Sequence, residues 1–300
     1  MSKSTASPKT SASPHSDDAH DNSQLDTSAI RQIVPEDRVN SPVNRRAVQT
    51  LIVPVGRGRG GKSFISKLTV ECAKAVGTPL RFSDTDPKNV GLKDTHSDGV
   101  LVEDAHPQIL YDHARAEIEQ FLEGNSSCLL DFGGGNPTFE NILRELNLAS
   151  VIKRQKKRLL LFCMLAPEKG DLSQIITFLD LPGLADADVV LCWNEGRVQP
   201  GREMSALKPF VEATPIVDAL DRGARLVRLP RLAPAERIDD LGLTFRDAAL
   251  GRASASGQRL GWLDTQITAE WLMRLPGSFA PIADWMQFAP VDSLLSGIEV

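Results

Sequence analysis

The sequence has few cysteines and no long apolar run. Its four cysteines lie far apart and form no Cys-x-x-Cys pair, so neither a zinc site nor a disulfide framework is indicated, and a reducing compartment is expected. No stretch approaches the ~18 consecutive apolar residues of a membrane-spanning helix, and residues 1–46 lack the apolar segment of a secretory signal. We therefore expect a soluble cytoplasmic protein with no membrane partner.

Excess positive charge and catalytic histidine patterns are also missing. The formal net charge of −5 argues against a generally cationic surface for nucleic acid. The five histidines show no spacing typical of metal ligands, and no Ser/His/Asp or Cys/His arrangement is visible. Neither a histidine-ligated metal centre nor a serine or cysteine nucleophile is therefore indicated.

Composition divides the chain into two parts. Residues 1–46 are rich in Ser, Thr, Asp and Pro, which predicts a disordered tail, although residues 30–39 could dock on the domain or on a partner. Residues 47–300 predict one domain, with a helical C-terminal extension over roughly its last 60 residues. Trp262, Trp271 and Trp285 lie in amphipathic stretches of this extension and are expected to pack against the domain.

From Val48 onward, short apolar runs alternate with longer amphipathic ones. The strands are predicted at 50–55, 79–83, 127–132, 158–165, 188–193 and 225–229. The helices are predicted at 61–76, 110–123, 137–149, 170–180 and 202–208, with several more after 233. Runs such as 159–165 are apolar on both faces, which is typical of parallel strands covered by helices on both sides. This alternation predicts a doubly wound, mostly parallel α/β sheet whose ligands bind at the carboxyl ends of the strands.

Residues 56–63 match the phosphate-binding loop pattern, and they follow the first predicted strand and precede the first predicted helix. Backbone N–H groups of such a turn and the start of its helix attract phosphate groups. Lys62 would add a cation for the β and γ phosphates, and the Ser63 hydroxyl would bind Mg²⁺. The predicted nucleotide contacts in this loop are Gly56, Gly58, Arg59, Gly60, Gly61, Lys62, Ser63 and Phe64. The alternative is a glycine-rich loop that serves only as a turn.

Three carboxylates follow predicted strands. Asp84 and Asp86 come after the second strand, where one could hold the metal and the other could position or deprotonate the attacking water. Asp131 ends the third strand at an Mg²⁺ position, and residues 133–135 after it form a glycine loop that could sense the γ-phosphate. The alternatives are an ordinary turn rich in Asp, Asn and Pro for the first pair, and a flexible glycine turn for the second.

Asn194 follows a late strand, where its side-chain amide could pair with a purine edge. The guanine-reading pattern Asn-Lys-x-Asp is absent because residue 197 is an arginine, so adenine is favoured over guanine. A plain loop asparagine is the alternative.

A basic run precedes the strand predicted at 158–165. Its five cations could bind a nucleic-acid backbone through counterion release, although solvated basic runs are common and no aromatic residues interleave with them. The predicted DNA-contacting residues are Lys153, Arg154, Lys156, Lys157 and Arg158.

Together these motifs resemble the ParA/MinD family of bacterial partition and positioning ATPases, over roughly residues 48–235. Residues 57–63 fit the family's deviant phosphate loop, residues 84–87 fit its Asp-x-Asp-Pro motif, and residues 131–135 fit its strand-ending Asp with a glycine loop. The resemblance further implies that Asn194 contacts adenine and that Pro230 follows the last strand beside the nucleotide.

The resemblance implies an ATP-dependent switch. Two subunits would face each other across two ATP molecules with Mg²⁺, and the homodimer would bind DNA until a partner protein activates hydrolysis. The chain departs from the family at two loop positions, because Arg57 replaces the lysine that reaches the partner's site and Arg59 replaces a glycine. The membrane-binding C-terminal helix of the MinD branch has no counterpart here.

The leading hypothesis is therefore an ATPase of DNA segregation, plasmid partition or plasmid transfer. In it, Asp86, Lys62 and Arg57 are the catalytic residues, and Ser63, Asp84 and Asp131 hold the metal. One alternative is a phosphoryl-transferring or ligating enzyme of the same fold, with a substrate pocket beside the γ-phosphate. The other is a nucleotide-gated scaffold in which Arg59 blocks hydrolysis.

Overall fold

The computed structural model describes residues 47–86, 92, 95–104, 106–167 and 169–298, without the side chains of residues 169 and 171. The predicted tail at 1–46 and Pro87 of the second motif lie outside the described residues. The division of the chain into a tail and one domain therefore stays a prediction.

Within the described residues, seven strands form one sheet in the order β3-β2-β4-β1-β5-β6-β7, and every pairing between neighbours is parallel. The strands are β1 (Thr50–Val55), β2 (Leu80–Asp84), β3 (Val100–Leu101), β4 (Ser127–Asp131), β5 (Arg158–Leu165), β6 (Asp188–Asn194) and β7 (Arg225–Leu229). The predicted doubly wound parallel α/β fold is confirmed. The sequence missed only β3 among these strands, because two residues are too short to show a periodic pattern.

The helices cover both faces of this sheet. They are α1 (Lys62–Ala75), α2 (Pro107–Glu123), α3 (Thr138–Glu145), α4 (Leu148–Arg154), α5 (Lys169–Leu179), α6 (Glu203–Val211), α7 (Thr214–Asp221), α8 (Ala235–Asp240), α9 (Phe245–Ala249) and α10 (Trp262–Phe279). None of the helices within the described ranges is long and apolar enough to span a membrane.

The single helix predicted at 137–149 is two helices, so that prediction was wrong. Leu146 has extended backbone angles and ends α3. The side chain of Asn147 then accepts a hydrogen bond from the N–H of Ser150 and caps α4. The sequence also missed α7, which begins immediately after α6 with Pro215 in its first turn.

Two apolar cores lie on opposite faces of the sheet. In β1, Ile52 contributes to one core, whereas its neighbours Leu51 and Val53 contribute to the other, and all three are fully buried. The first core holds α1 and the helices after β7, and the second holds α2 to α7. Burial on both faces explains why the strands were recognisable as continuous apolar runs.

The C-terminal extension packs on α1, the helix that follows the phosphate loop. Both carboxylate oxygens of Glu71 accept hydrogen bonds of 2.9 Å from the N–H of Phe245, and Lys67 forms an ion pair of 2.8 Å with Asp239. Trp271 is fully buried and Trp285 is 7% exposed, as expected. Trp262, in contrast, is 77% exposed, so the expectation that it packs against the domain was wrong.

Glu71 generates a pH prediction. Burial raises its pKa from 4.5 to about 8, against the opposing hydrogen bonds and the charge of Lys67. The folded state therefore binds this proton more tightly than the unfolded state, and the resulting stabilisation is lost as the pH rises through about 8. Between pH 5 and 8, we expect wild type to lose up to about 1 kcal/mol of unfolding free energy per pH unit relative to Glu71→Gln. Urea unfolding of both proteins across this range measures the difference, and parallel pH profiles would contradict it.

The basic run has structural partners inside the chain. The ammonium group of Lys157 donates hydrogen bonds of 2.6, 2.7 and 2.8 Å to the carbonyls of Phe121, Leu122 and Gly124, at the end of α2. Lys153 forms an ion pair of 2.7 Å with Asp186, and Arg158 forms one of 2.7 Å with Asp188. At least three of the five cations thus stabilise the fold, and contact with DNA stays a prediction.

Lys157 should matter for stability in a way that its neighbour does not. We expect Lys157→Ala to lower the unfolding free energy by about 1–3 kcal/mol, because three carbonyls at a helix C-terminus lose a charged donor. The matched control is Lys156→Ala, an exposed residue in the same run, which should stay within about 0.5 kcal/mol of wild type. Urea unfolding measures both, and equal losses would contradict the capping role.

Candidate nucleotide-binding site

The predicted phosphate loop lies between the carboxyl end of β1 and the start of α1, at the centre of the sheet. Gly56 and Gly61 have φ angles of 136° and 105°, which side-chain-bearing residues rarely adopt. A Cβ on Gly56 would lie 3.0 Å from the carbonyl oxygen of Met164 in β5. Glycine is therefore required where the loop passes close to the neighbouring strand.

Lys62 lies inside the loop with only 7% of its surface exposed. Its ammonium group donates hydrogen bonds of 3.1 and 3.0 Å to the carbonyls of Gly56 and Arg57. Burial lowers its pKa, and the carboxylates of Asp131 and Asp86 act in the opposite direction. The predicted phosphate-binding cation is thus buried in the loop, close to two of the predicted carboxylates.

The two arginines of the loop lie at its exposed side. Arg59 adopts a left-handed conformation with a φ of 62°, and its side chain does not line the cavity beside Lys62. Arg57 lies against the first turn of α5, because a Cβ on Gly170 would meet its guanidinium at 2.5 Å. The predicted catalytic Arg57 therefore packs on a helix of its own chain in this structure.

Two of the predicted metal-binding carboxylates lie side by side. Asp84 and Asp131 are partners in the register of β2 and β4, and both are buried. Burial raises the pKa of Asp131 to about 6, whereas the Ser63 hydroxyl and the charge of Lys62 lower it. Among the described residues, the buried Oδ2 atom of Asp131 has no hydrogen-bond partner.

These residues fit a magnesium ion. Mg²⁺ prefers oxygen ligands and usually takes only one or two protein carboxylates, together with waters and substrate phosphates. Ser63, Asp84 and Asp131 offer such oxygens beside the loop, and a buried carboxylate oxygen without a donor is the kind of group that a cation would satisfy. The part of the chain that the structure describes contains no cluster of three or more His, Cys, Asp or Glu side chains arranged to hold a metal without a nucleotide.

Asp86 and the glycine loop contact each other and the phosphate loop. The N–H of Asp86 donates a hydrogen bond of 3.0 Å to Oδ1 of Asp84. A Cβ on Gly133 would lie 3.1 Å from Cγ of Asp86, and a Cβ on Gly134 would lie 2.5 Å from Cα of Gly58. The loops after β1, β2 and β4 therefore meet at one point, where any side chain on Gly134 would collide with the phosphate loop.

Asn194 fixes the phosphate loop to the end of β6. Its side-chain nitrogen donates a 2.9 Å hydrogen bond to the carbonyl of Gly60, and its side-chain oxygen accepts one of 2.9 Å from the N–H of Gly196. The predicted base contact thus acts on the loop in this structure, and its role towards adenine stays a prediction. Pro230, at the end of β7, accepts a 2.9 Å hydrogen bond from the indole of Trp271.

Sequence reasoning missed two polar residues of the site. Ser66 is fully buried and lowers the pKa of Asp131. It lies four residues after Lys62, on the same side of α1, and this spacing was the available signal. Thr85 donates hydrogen bonds of 2.9 and 3.0 Å from its N–H and hydroxyl to the carbonyl of Asp131, and nothing in the sequence indicates this contact.

A cavity of about 180 Å³ adjoins the loop at Gly56 and Lys62. It lies between the ends of β1 and β4 and the helices α3 and α5. Its remaining lining residues are Pro54, Val55, Phe132, Gly133, Gly135, Asn136, Pro137, Phe139, Glu140, Gln174, Ile175 and Phe178. The sequence did not predict these aromatic walls.

No family model matches this sequence, and neither does any curated protein. Among solved structures, the chain is similar to chloroplast FtsY of Physcomitrella patens, with 17% identity and a TM-score of 0.41. The match covers 68% of this chain and 66% of the FtsY chain, so this chain spans just under two thirds of the length of FtsY. It is similar to MinD of Aquifex aeolicus at 15% identity and a TM-score of 0.40, covering 76% and 97%. For the MinC:MinD complex of the same organism, the identity is 13%, the TM-score 0.43 and the coverage 76% and 96%. At these identities the likeness concerns the fold alone.

The contact between the two glycine loops generates a prediction. We expect Gly134→Ala to weaken nucleotide binding at least tenfold, because its Cβ would push the phosphate loop away from its position, at a cost of about 1–3 kcal/mol. The control is Gly277→Ala, at an exposed helical position without a positive φ, whose Cβ would meet nothing within 4 Å. Calorimetric titration with ATP compares the two variants, and equal affinities would contradict a role for the close approach.

Proposed function

We propose that the chain binds Mg²⁺ and ATP at residues 56–64 and hydrolyses ATP slowly, as a nucleotide-dependent switch of the ParA/MinD type. The observation that carries this proposal is the burial of Lys62, at the start of α1, near Asp131, at the end of β4. The two opposite charges attract each other, which offsets only part of the cost of removing both from water. A magnesium-bound triphosphate satisfies both, with its phosphates at Lys62 and its metal at Asp131.

Each residue would have a defined part in hydrolysis. Lys62 would leave the carbonyls of Gly56 and Arg57 and bind the terminal phosphates. Ser63, Asp131 and Asp84 would hold Mg²⁺, which neutralises charge on the phosphates when bound. Asp86 would position the attacking water and take up its proton. Its carboxylate lies beside Gly133 of the glycine loop, where the proposal puts the terminal phosphate.

The glycine loop would transmit the state of the nucleotide. Gly134 touches Gly58 of the phosphate loop, so a γ-phosphate that shifts one loop also shifts the other. In the proposal, the ATP-bound loop favours a homodimer, and a protein activator triggers hydrolysis. Arg57 would stabilise charge at the γ-phosphate, in its own subunit after leaving Gly170 or in the partner subunit. Partition of plasmid or chromosomal DNA, or plasmid transfer, is the process that this switch would serve.

A phosphoryl-transferring or ligating enzyme of the same fold is the second candidate function. It requires a substrate pocket beside the γ-phosphate, and the cavity at Lys62 supports it. The scaffold hypothesis required Arg59 to obstruct the site, and the exposed position of Arg59 does not support it. Two measurements separate the candidates: the ATPase rate with added DNA or added small metabolites, and the molecular mass with and without ATP.

Two substitutions test the assignment of roles. We expect Asp86→Ala to retain ATP affinity within about threefold but to lose about 100-fold or more in turnover, because it removes the group that positions water. We expect Lys62→Ala to weaken ATP binding roughly 10- to 100-fold, because a charged donor to the phosphates is lost. Calorimetry gives the affinity, phosphate release gives the turnover, and thermal melting checks that both variants fold. Full turnover in Asp86→Ala would remove this residue from catalysis, and unchanged affinity in Lys62→Ala would remove the loop from nucleotide binding.

A further inference from the structure

The cavity beside Lys62 has an aromatic wall. The ring centroids of Phe132 and Phe139 lie 5.8 Å apart, those of Phe139 and Phe178 lie 6.4 Å apart, and both pairs are stacked. Each of the three rings is at most 4% exposed, and the buried side chain of Ile175 completes the wall. The three rings come from the end of β4, from α3 and from α5, so the wall forms only when the chain is folded.

Two polar side chains face the same cavity. Glu140 on α3 and Gln174 on α5 are half-buried, and neither makes a hydrogen bond or ion pair with the described residues. The other charged residue of the lining, Lys62, already donates to two loop carbonyls. A pocket that combines apolar and aromatic side chains with a few polar groups is the usual composition of a small-molecule site.

The size of the cavity limits the ligand. Pockets for drug-sized molecules usually have volumes of about 300–1,000 Å³, whereas an apolar cavity of about 150 Å³ accepts benzene. A cavity of about 180 Å³ therefore takes one aromatic ring or one branched aliphatic chain with a short polar group.

We propose that this cavity binds a small primary amine with a compact aromatic or branched apolar body. The body would lie against Phe132, Phe139 and Phe178, and the ammonium group would donate to the carboxylate of Glu140. A carboxylate only accepts hydrogen bonds, and its bonds with a cation are stronger than those with a neutral donor. The amide oxygen of Gln174 is a second acceptor for the same group.

This ligand would be coupled to the nucleotide. Gly133 and Pro137 line the cavity, and Gly133 and Gly134 of the same loop contact Asp86 and Gly58. The amine and the nucleotide would thus touch the same loop, so each changes the affinity of the other by an equal factor. Binding of the amine does not depend on hydrolysis, whereas this coupling rests on the proposed nucleotide site.

Three probes of similar shape test the site: benzylamine, benzyl alcohol and benzoate. Calorimetry and ligand-observed NMR with the full chain, without nucleotide, should rank benzylamine about tenfold above both benzyl alcohol and benzoate, because the Lys62 ammonium group already donates to two loop carbonyls whereas the Glu140 carboxylate has no donor among the described residues. Glu140→Gln should weaken benzylamine about tenfold and leave benzyl alcohol within about twofold. The matched control is Glu145→Gln, on the same helix but outside the cavity, which should change neither.

A substitution that fills the cavity with a larger side chain provides an independent check. Ile175→Phe should abolish binding of both benzylamine and benzyl alcohol, and Gln174→Trp, at a half-buried position, serves the same purpose if the first variant does not fold. The proposal is overturned if no probe binds, if benzoate binds as well as benzylamine, or if Glu140→Gln leaves benzylamine affinity unchanged. ATP affinity is measured separately on the same protein, so a missing nucleotide site and a missing amine site give different results.

Discussion

The burial of Lys62, at the start of α1, and of Asp131, at the end of β4, is the constraint on which the site depends. They are 7% and 2% exposed, and removing each charge from water costs several kcal/mol unless a partner compensates. The loop supplies two carbonyls to Lys62, and the raised pKa of Asp131 shows that its compensation is incomplete. In the proposed function, an anion at Lys62 and a cation at Asp131 would together offset the remaining cost of burying these charges.

The C-terminal extension belongs to this site, although the sequence motifs end before it. Phe64 follows the phosphate-loop serine directly, and its ring lies 4.7 Å from that of Phe245 and 5.5 Å from that of Trp271. Glu71 and Lys67, further along α1, bind α9 and α8. The helix that follows the phosphate loop is therefore held by residues 172 to 207 positions later in the chain.

The sequence predicted what depends on local pattern and missed what depends on distant partners. Strands β1, β5 and β7 have the predicted bounds, because runs such as 159–165 are apolar on both faces. The phosphate loop was recognisable because its glycines and Lys62 have a fixed spacing. Lys157 could not be recognised as a helix cap, because its carbonyl partners lie 33 to 36 residues earlier. For the same reason, nothing in the sequence indicated that three phenylalanines between 132 and 178 would form one wall.

Arg57 connects the nucleotide site with the aromatic cavity. Its guanidinium lies against Gly170 in the first turn of α5, and α5 carries Gln174 and Ile175 of the cavity lining. A guanidinium that moves to the γ-phosphate, in either subunit, must leave this turn, because it cannot occupy both positions. In the proposed mechanism, ATP would therefore affect the cavity in two ways. It would shift the glycine loop next to Gly58, and it would draw Arg57 away from the first turn of α5. In the same proposal, a ligand in the cavity that stabilises one position of α5 would select one position of Arg57, and hydrolysis would then depend on the occupant of the cavity.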